Sequence, residues 1–124
     1  MIHAMIDLET LATTPDAIIL TCGGVKFDPW STEEPSQPFY LRLDVDEQTN
    51  IGRRLNEDTL KWWESQPTEV REEALSDGNR VSLDVFKDSL NKFLVGVDYL
   101  WAQGPLFDYA ILEHLYTQLE QPYA

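Results

Sequence analysis

A chain of 124 residues, 43% hydrophobic and 25% charged, has the make-up of one globular domain with a real core, which argues against disorder, a collagen-like chain or a coiled coil. Its 9 basic and 22 acidic residues leave a formal net charge of −13. That balance argues against coating nucleic acid through basic patches, so any contact with it must be local.

In chain order, residues 2–8, IHAMIDL, are short, apolar and bounded by Thr and Pro, which predicts a buried strand. A loop follows through TLATTPDA. Residues 17–28, AIILTCGGVKFD, predict a second strand, with Gly23 and Gly24 marking a bulge or a close backbone approach. The polar stretch 28–38 turns the chain. Residues 39–45, FYLRLDV, alternate apolar and polar side chains with period two, a third and half-buried strand. Short connections favour antiparallel pairing among these three.

After a polar segment at 46–54 that reads as a loop, Asn56 is placed to cap a helix over NEDTLKWWESQ, with Glu57 and Asp58 in its first turn. Pro67 ends that helix or starts the next, TEVREEAL, and SDGN supplies turn chemistry. Ser82 opens a third helix whose stripe is Leu83, Phe86, Leu90, Phe93 and Leu94, ending at Gly96. Residues 98–103, DYLWAQ, predict a fourth strand. Gly104 and Pro105 form a turn before a final helix with the stripe Phe107, Ile111, Leu115 and Leu119. The pattern is an α/β layer structure whose last strand joins the sheet by a helical crossover.

Cys22 is the only cysteine, so no internal disulfide forms and a buried, inert thiol in a reducing interior is expected. The first apolar run is interrupted at Asp7, too short for a membrane span, and no secretory signal pattern is present. A cytoplasmic protein without membrane contact is the expectation.

Asp7 and Glu9 lie two apart near the end of the first strand, which puts both carboxylates on one face. Their repulsion disfavours double ionisation unless a cation sits between them, and oxygen ligands without nearby His or Cys suit Mg²⁺ or Mn²⁺ better than zinc. A solvated pair of acids at a strand end is the alternative. Asp108 comes after the fourth strand at the start of the last helix, where a crossover fold brings a carboxylate beside the first strand's end; simple charge stabilisation of the helix N-terminus is its alternative.

MIDLET and the downstream WAQGPLFDYAIL resemble the first and second motifs of the DEDD 3′–5′ exonucleases of the ribonuclease H-like superfamily. The intervening PDAIILTCGGVKFDP and TLKWWESQ resemble the phage and prophage branch of exodeoxyribonuclease VIII-like or exoribonuclease-like proteins, and the similarity runs from residue 2 to about residue 122. The resemblance implies a ribonuclease H-like mixed sheet with flanking helices. It implies that Asp7, Glu9 and Asp108 are catalytic metal ligands, Asp7 bridging two Mg²⁺ or Mn²⁺ ions, and that the substrate is a single-stranded DNA or RNA 3′ end. Leu11 would press against the terminal base, with an ordinary apolar anchor as the competing role. Trp62 and Trp63 cannot share a helix face, so one is expected in the core and the other along a groove, where stacking on a base is worth about 1–3 kcal/mol.

The family's third motif, a His and later an Asp on a further helix, has no counterpart after Asp108; Glu113, His114 and Glu120 share that residue's own helix. The expectation is therefore a single exonuclease-like domain, 1–124, truncated at its C-terminus relative to the family. Either it is an exonuclease or a fragment of one, or it is a non-catalytic acidic interaction or inhibitor protein with a basic protein partner. Arg53 and Arg54 read as a solvated loop, with phosphate or acid binding as the alternative. His3 is expected at the sheet's start, His114 on the exposed part of the last helix, and Trp101 and Phe107 in the core as anchors of the second motif.

Overall fold

The computed structural model describes residues 1–30 and 36–120. Five strands form one mixed sheet: β1 (His3–Thr10), β2 (Ile19–Phe27), β3 (Ser36–Leu43), β4 (Arg80–Val81) and β5 (Tyr99–Ala102), in the order β4-β3-β2-β1-β5. The first three are antiparallel neighbours, as their short connections require, and β5 returns parallel to β1 through helical crossovers. The α/β sheet with flanking helices expected from the sequence is thus present. Part of the polar connection over 28–38, residues 31–35, lies outside the described residues, as does Gln121 of the predicted final helix.

The alternation of β1 decides which face is core. Ala4, Ile6, Leu8 and Thr10 are buried, whereas Met5 and Asp7 point outward on the opposite face. The buried face packs against α4 (Leu83–Phe93) and α5 (Pro105–Glu120) through Leu83, Phe86, Leu90, Phe93, Ile111 and Leu115. Ser82 caps α4 by accepting from the Val85 amide at 3.2 Å. On the other side α2 (Glu57–Glu64) and α3 (Thr68–Leu75) cover only the far part of the sheet, where Leu11, Ile18, Leu20, Trp63 and Ala74 form a smaller cluster. Asn56 caps α2 as its sequence predicts, accepting from the Thr59 amide at 3.1 Å.

Several local expectations are corrected. Residues read as a loop at 46–54 begin with a helix, α1 (Val45–Asn50), capped by Asp44. Its sequence has no apolar stripe because the buried member is Gln48, whose amide accepts from Ile19 N at 2.7 Å and donates to Ile19 O at 2.8 Å. Arg53 is not solvated: it is 4% exposed, and its guanidinium donates to Ala17 O at 3.0 Å, Pro15 O at 3.1 Å and Gln118 Oε1 at 2.6 Å. Arg54 remains in the exposed pair with Asp16 at 3.3 Å. Trp101 is 50% exposed, and Phe107 too lies outside the core. The alternation of β5 gives the core side to Leu100 and Ala102, which leaves Trp101 on the face that α4 and α5 do not cover. His3 is buried at the sheet's start, stacked on Tyr99 with ring centroids 4.9 Å apart, and His114 lies on the exposed side of α5. Among the described residues no helix is long and apolar enough to cross a membrane.

Candidate active site

Asp7 and Glu9 occupy the outward face of β1, opposite Gly23 and Thr21 of β2. The β1–β2 register shifts between Glu9 and Thr10, so the strand leaves regular pairing directly after the second carboxylate. Residues 10 and 11 are then tied down. The Trp63 indole donates to Thr10 O at 2.9 Å, Asn56 N donates to Leu11 O at 2.8 Å and Leu11 N donates to Ile18 O at 2.9 Å. Helix α2 thereby fixes the chain on which Glu9 sits.

Asp108 arrives from the other direction, in the first turn of α5, where its amide donates to Gly104 O at 2.9 Å. It is only 4% exposed. Burial, and then the negative charge of Asp7, push its carboxyl up to about 6. Glu9 is raised for the same reasons, by burial first and then by Asp7 and Asp108. Burial also pushes the Cys22 thiol up to about 12, with Asp108 and Asp7 adding to it, which makes the inert thiol expected from the sequence. Among the described residues, no basic side chain forms an ion pair with Glu9 or Asp108.

The three carboxylates fit a hard divalent cation in donor type and in their uncompensated charge. Among the described residues, no three His, Cys, Asp or Glu groups are gathered closely enough to hold an ion.

Asp7 and Glu9 open onto a cleft of about 500 Å³ whose floor is completed by Thr21 and Gly23. Tyr40, Trp63, Val70 and Ala74 wall it, and Glu69 and Glu73 of α3 add carboxylates. The α3 wall is pinned to the sheet. Tyr40 donates its hydroxyl to Glu73, Arg42 donates to Ser76 O at 2.6 Å, and Arg80 donates to Ala74 O at 2.7 Å and Leu20 O at 2.9 Å. Burial, and then Glu73, push the Tyr40 phenol up to about 12, so it stays a donor.

Of the residues singled out from the sequence, Asp7, Glu9 and Asp108 therefore share one end of the sheet, and Trp63 shows an edge to the cleft. Leu11 is 3% exposed within the smaller core cluster, which leaves little of it to meet a base. Trp62 is 55% exposed, edge-on to Trp63 at 4.8 Å, and is not part of the cleft lining. Thr21, Gly23, Tyr40, Glu69 and Glu73 were not singled out for the site. The signal for Tyr40 was its place in the period-two pattern of β3, and for Glu69 and Glu73 their four-residue spacing on one helix face.

The α/β fold of the chain is similar to that of exonuclease I. A product-bound structure of exonuclease I matches with a TM-score of 0.67 at 15% identity, over 99% of this chain and 27% of that one. E. coli exonuclease I in complex with a 5cy-dA13 oligonucleotide matches with a TM-score of 0.67 at 15% identity, over 99% of this chain and 25% of that one. The zinc ion bound form of the E. coli exonuclease I–ssDNA complex gives 0.61 and 16%, over the same shares of 99% and 25%. The chain spans about a quarter of the length of these structures. No curated protein sequence matches it with significance. Residues 2–124 match the model of the 3′-5′ exoribonuclease Rv2179c-like domain, and the chain belongs to that family.

Proposed function

We propose that this chain is a 3′–5′ exonuclease, or a fragment of one, that hydrolyses phosphodiester bonds at single-stranded DNA or RNA 3′ ends with Mg²⁺ or Mn²⁺, in the cytoplasm. The observation that carries the reading is the buried Asp108, which the β5–α5 crossover brings to the same end of the sheet as the Asp7–Glu9 pair, near enough that, on top of burial, the charges raise the Asp108 and Glu9 carboxyls. Family membership supports it.

Asp7, Glu9 and Asp108 would hold the ion. When bound, a divalent cation supplies neutralising charge at the phosphate and makes a nucleophile of water at neutral pH. The remaining work falls to the chain's own groups. Trp63, through Thr10 O, keeps Glu9 aimed at the cleft, and the α3 wall held by Tyr40, Arg42 and Arg80 fixes the cleft's width.

A non-catalytic interaction module for a basic protein partner is the competing reading, favoured by the net charge of −13. One experiment separates them: nucleotide release from 3′-labelled single-stranded RNA and DNA in Mg²⁺ or Mn²⁺, with Asp7→Ala as control. Release that disappears in the variant establishes the exonuclease. No release from either substrate, together with retention on a basic protein, establishes the module.

A further inference from the structure

The two adjacent glycines of β2 differ in what a side chain would meet. At Gly24 a Cβ would lie 3.1 Å from the Met5 carbonyl oxygen and 3.2 Å from Cε2 and Cζ of Phe93, so close packing accounts for the glycine. The β2–β3 register shift between Gly24 and Lys26 falls at the same place. At Gly23 the nearest atoms would be Tyr40 Cδ2 at 3.7 Å and Phe39 O at 3.9 Å, which is ordinary contact. Its backbone is not in the left-handed region either, since among the glycines only Gly52 and Gly96 are. Glycine weakens a strand interior, through its extra freedom in the unfolded chain and its missing side chain. Neither packing nor conformation at Gly23 offsets that.

The cleft supplies a reason. Gly23 is paired with Asp7 on one side and Tyr40 on the other, and it forms part of the cleft floor. Opposed residues in neighbouring strands point to the same face, so any side chain at 23 would enter the cleft beside Asp7. We infer that Gly23 is a specificity-determining residue, whose bare backbone leaves room for the nucleoside part of a 3′-terminal nucleotide beside the Asp7–Glu9 pair. This rests on the exonuclease reading above. The nucleoside fits because Tyr40, Trp63 and Val70 offer aromatic and apolar surface to a base, and Glu69 and Glu73 can accept hydrogen bonds from its donors.

The test is a size series, Gly23→Ala, Gly23→Val and Gly23→Leu, with three readouts: Mn²⁺ affinity by titration calorimetry, adenosine 5′-monophosphate affinity in saturating Mn²⁺, and Tm. Nucleotide affinity is expected to fall progressively with side-chain size, by about tenfold or more at Val. Mn²⁺ affinity should stay near the wild-type value, and Tm should not drop at Val, a strong strand former. Gly24→Ala should instead lower Tm. Unchanged nucleotide affinity across the series overturns the inference, as does Mn²⁺ affinity that falls in step with it. Should the Leu variant fail to fold, Ala and Val carry the comparison. A wild-type chain that binds neither Mn²⁺ nor the nucleotide overturns the exonuclease reading as well, whereas failure of the inference alone leaves both wild-type affinities intact.

Discussion

The two faces of this sheet come from the same strands and carry opposite burdens. Beneath α4 and α5, every second residue of β1 is buried against Phe86, Leu90, Ile111 and Leu115, and burial there stabilises the fold. On the other face the alternate residues, Met5, Asp7, Tyr99 and Trp101, are exposed, and the carboxylates beside them are held above their ordinary range or left to solvent. One face holds the domain together. The other face spends stability to gather negative charge and open surface, a division often found where binding is the purpose.

Breaking the closed face should have the largest effect. Phe86→Ala is expected to cost about 3–5 kcal/mol by leaving a cavity, whereas Trp101→Ala on the open face, which removes the indole N–H donated to buried His3 at 2.9 Å, should cost only about 1–2 kcal/mol. Urea unfolding of both variants measures the contrast directly. Equal losses would mean that the open face also carries core weight.

Between the faces stands Trp63, whose ring is core and whose N–H holds Thr10. Trp63→Phe keeps the ring's burial and removes the donor, so Thr10 O is left without its partner, at about 1–3 kcal/mol. Mn²⁺ affinity should weaken as well, because the segment after Glu9 is released. An unchanged Mn²⁺ affinity would limit Trp63 to packing.

The smallest expected effect has a defined sign. Asp108 has a folded-state pKa of about 6 against an ordinary value of 3.8, so the folded state holds its proton more tightly. Its charge therefore destabilises the fold as pH rises through that window. Without divalent ions, Asp108→Asn should raise Tm by about 2–5 °C at pH 8, and the advantage should shrink from pH 6 and vanish below about pH 4. Mn²⁺ should reverse the order by stabilising the wild type. A thermal scan across pH, in which Asn lowered Tm at pH 8 without metal, would refute the electrostatic account of the open face.

Local chemistry was legible in the sequence, and long-range chemistry was not. Asn56 and Ser82 identify their helices because a cap and its amide are three residues apart. The period-two pattern of β1 gives its two faces, and Asp7 and Glu9 with them. Helix α1 carries the same local signal, Asp44 accepting from the Glu47 amide, but it lacks an apolar stripe because its buried residue is Gln48, bonded to Ile19, 29 residues away. Arg53 looked like a solvated loop residue because its partners lie at 15, 17 and 118. The cleft walls required the register Asp7–Gly23–Tyr40, which strand patterns alone do not set. Trp101 misled because an aromatic beside a motif reads as core, and only the placement of α4 and α5 decides which side of β5 is covered.

The most direct measurement is calorimetric titration of the intact chain with Mn²⁺, compared between wild type and Asp7→Ala. Saturable binding that weakens about tenfold or more in the variant is the expected result. Absence of binding, or the same affinity in both proteins, would contradict a cation site at the end of β1.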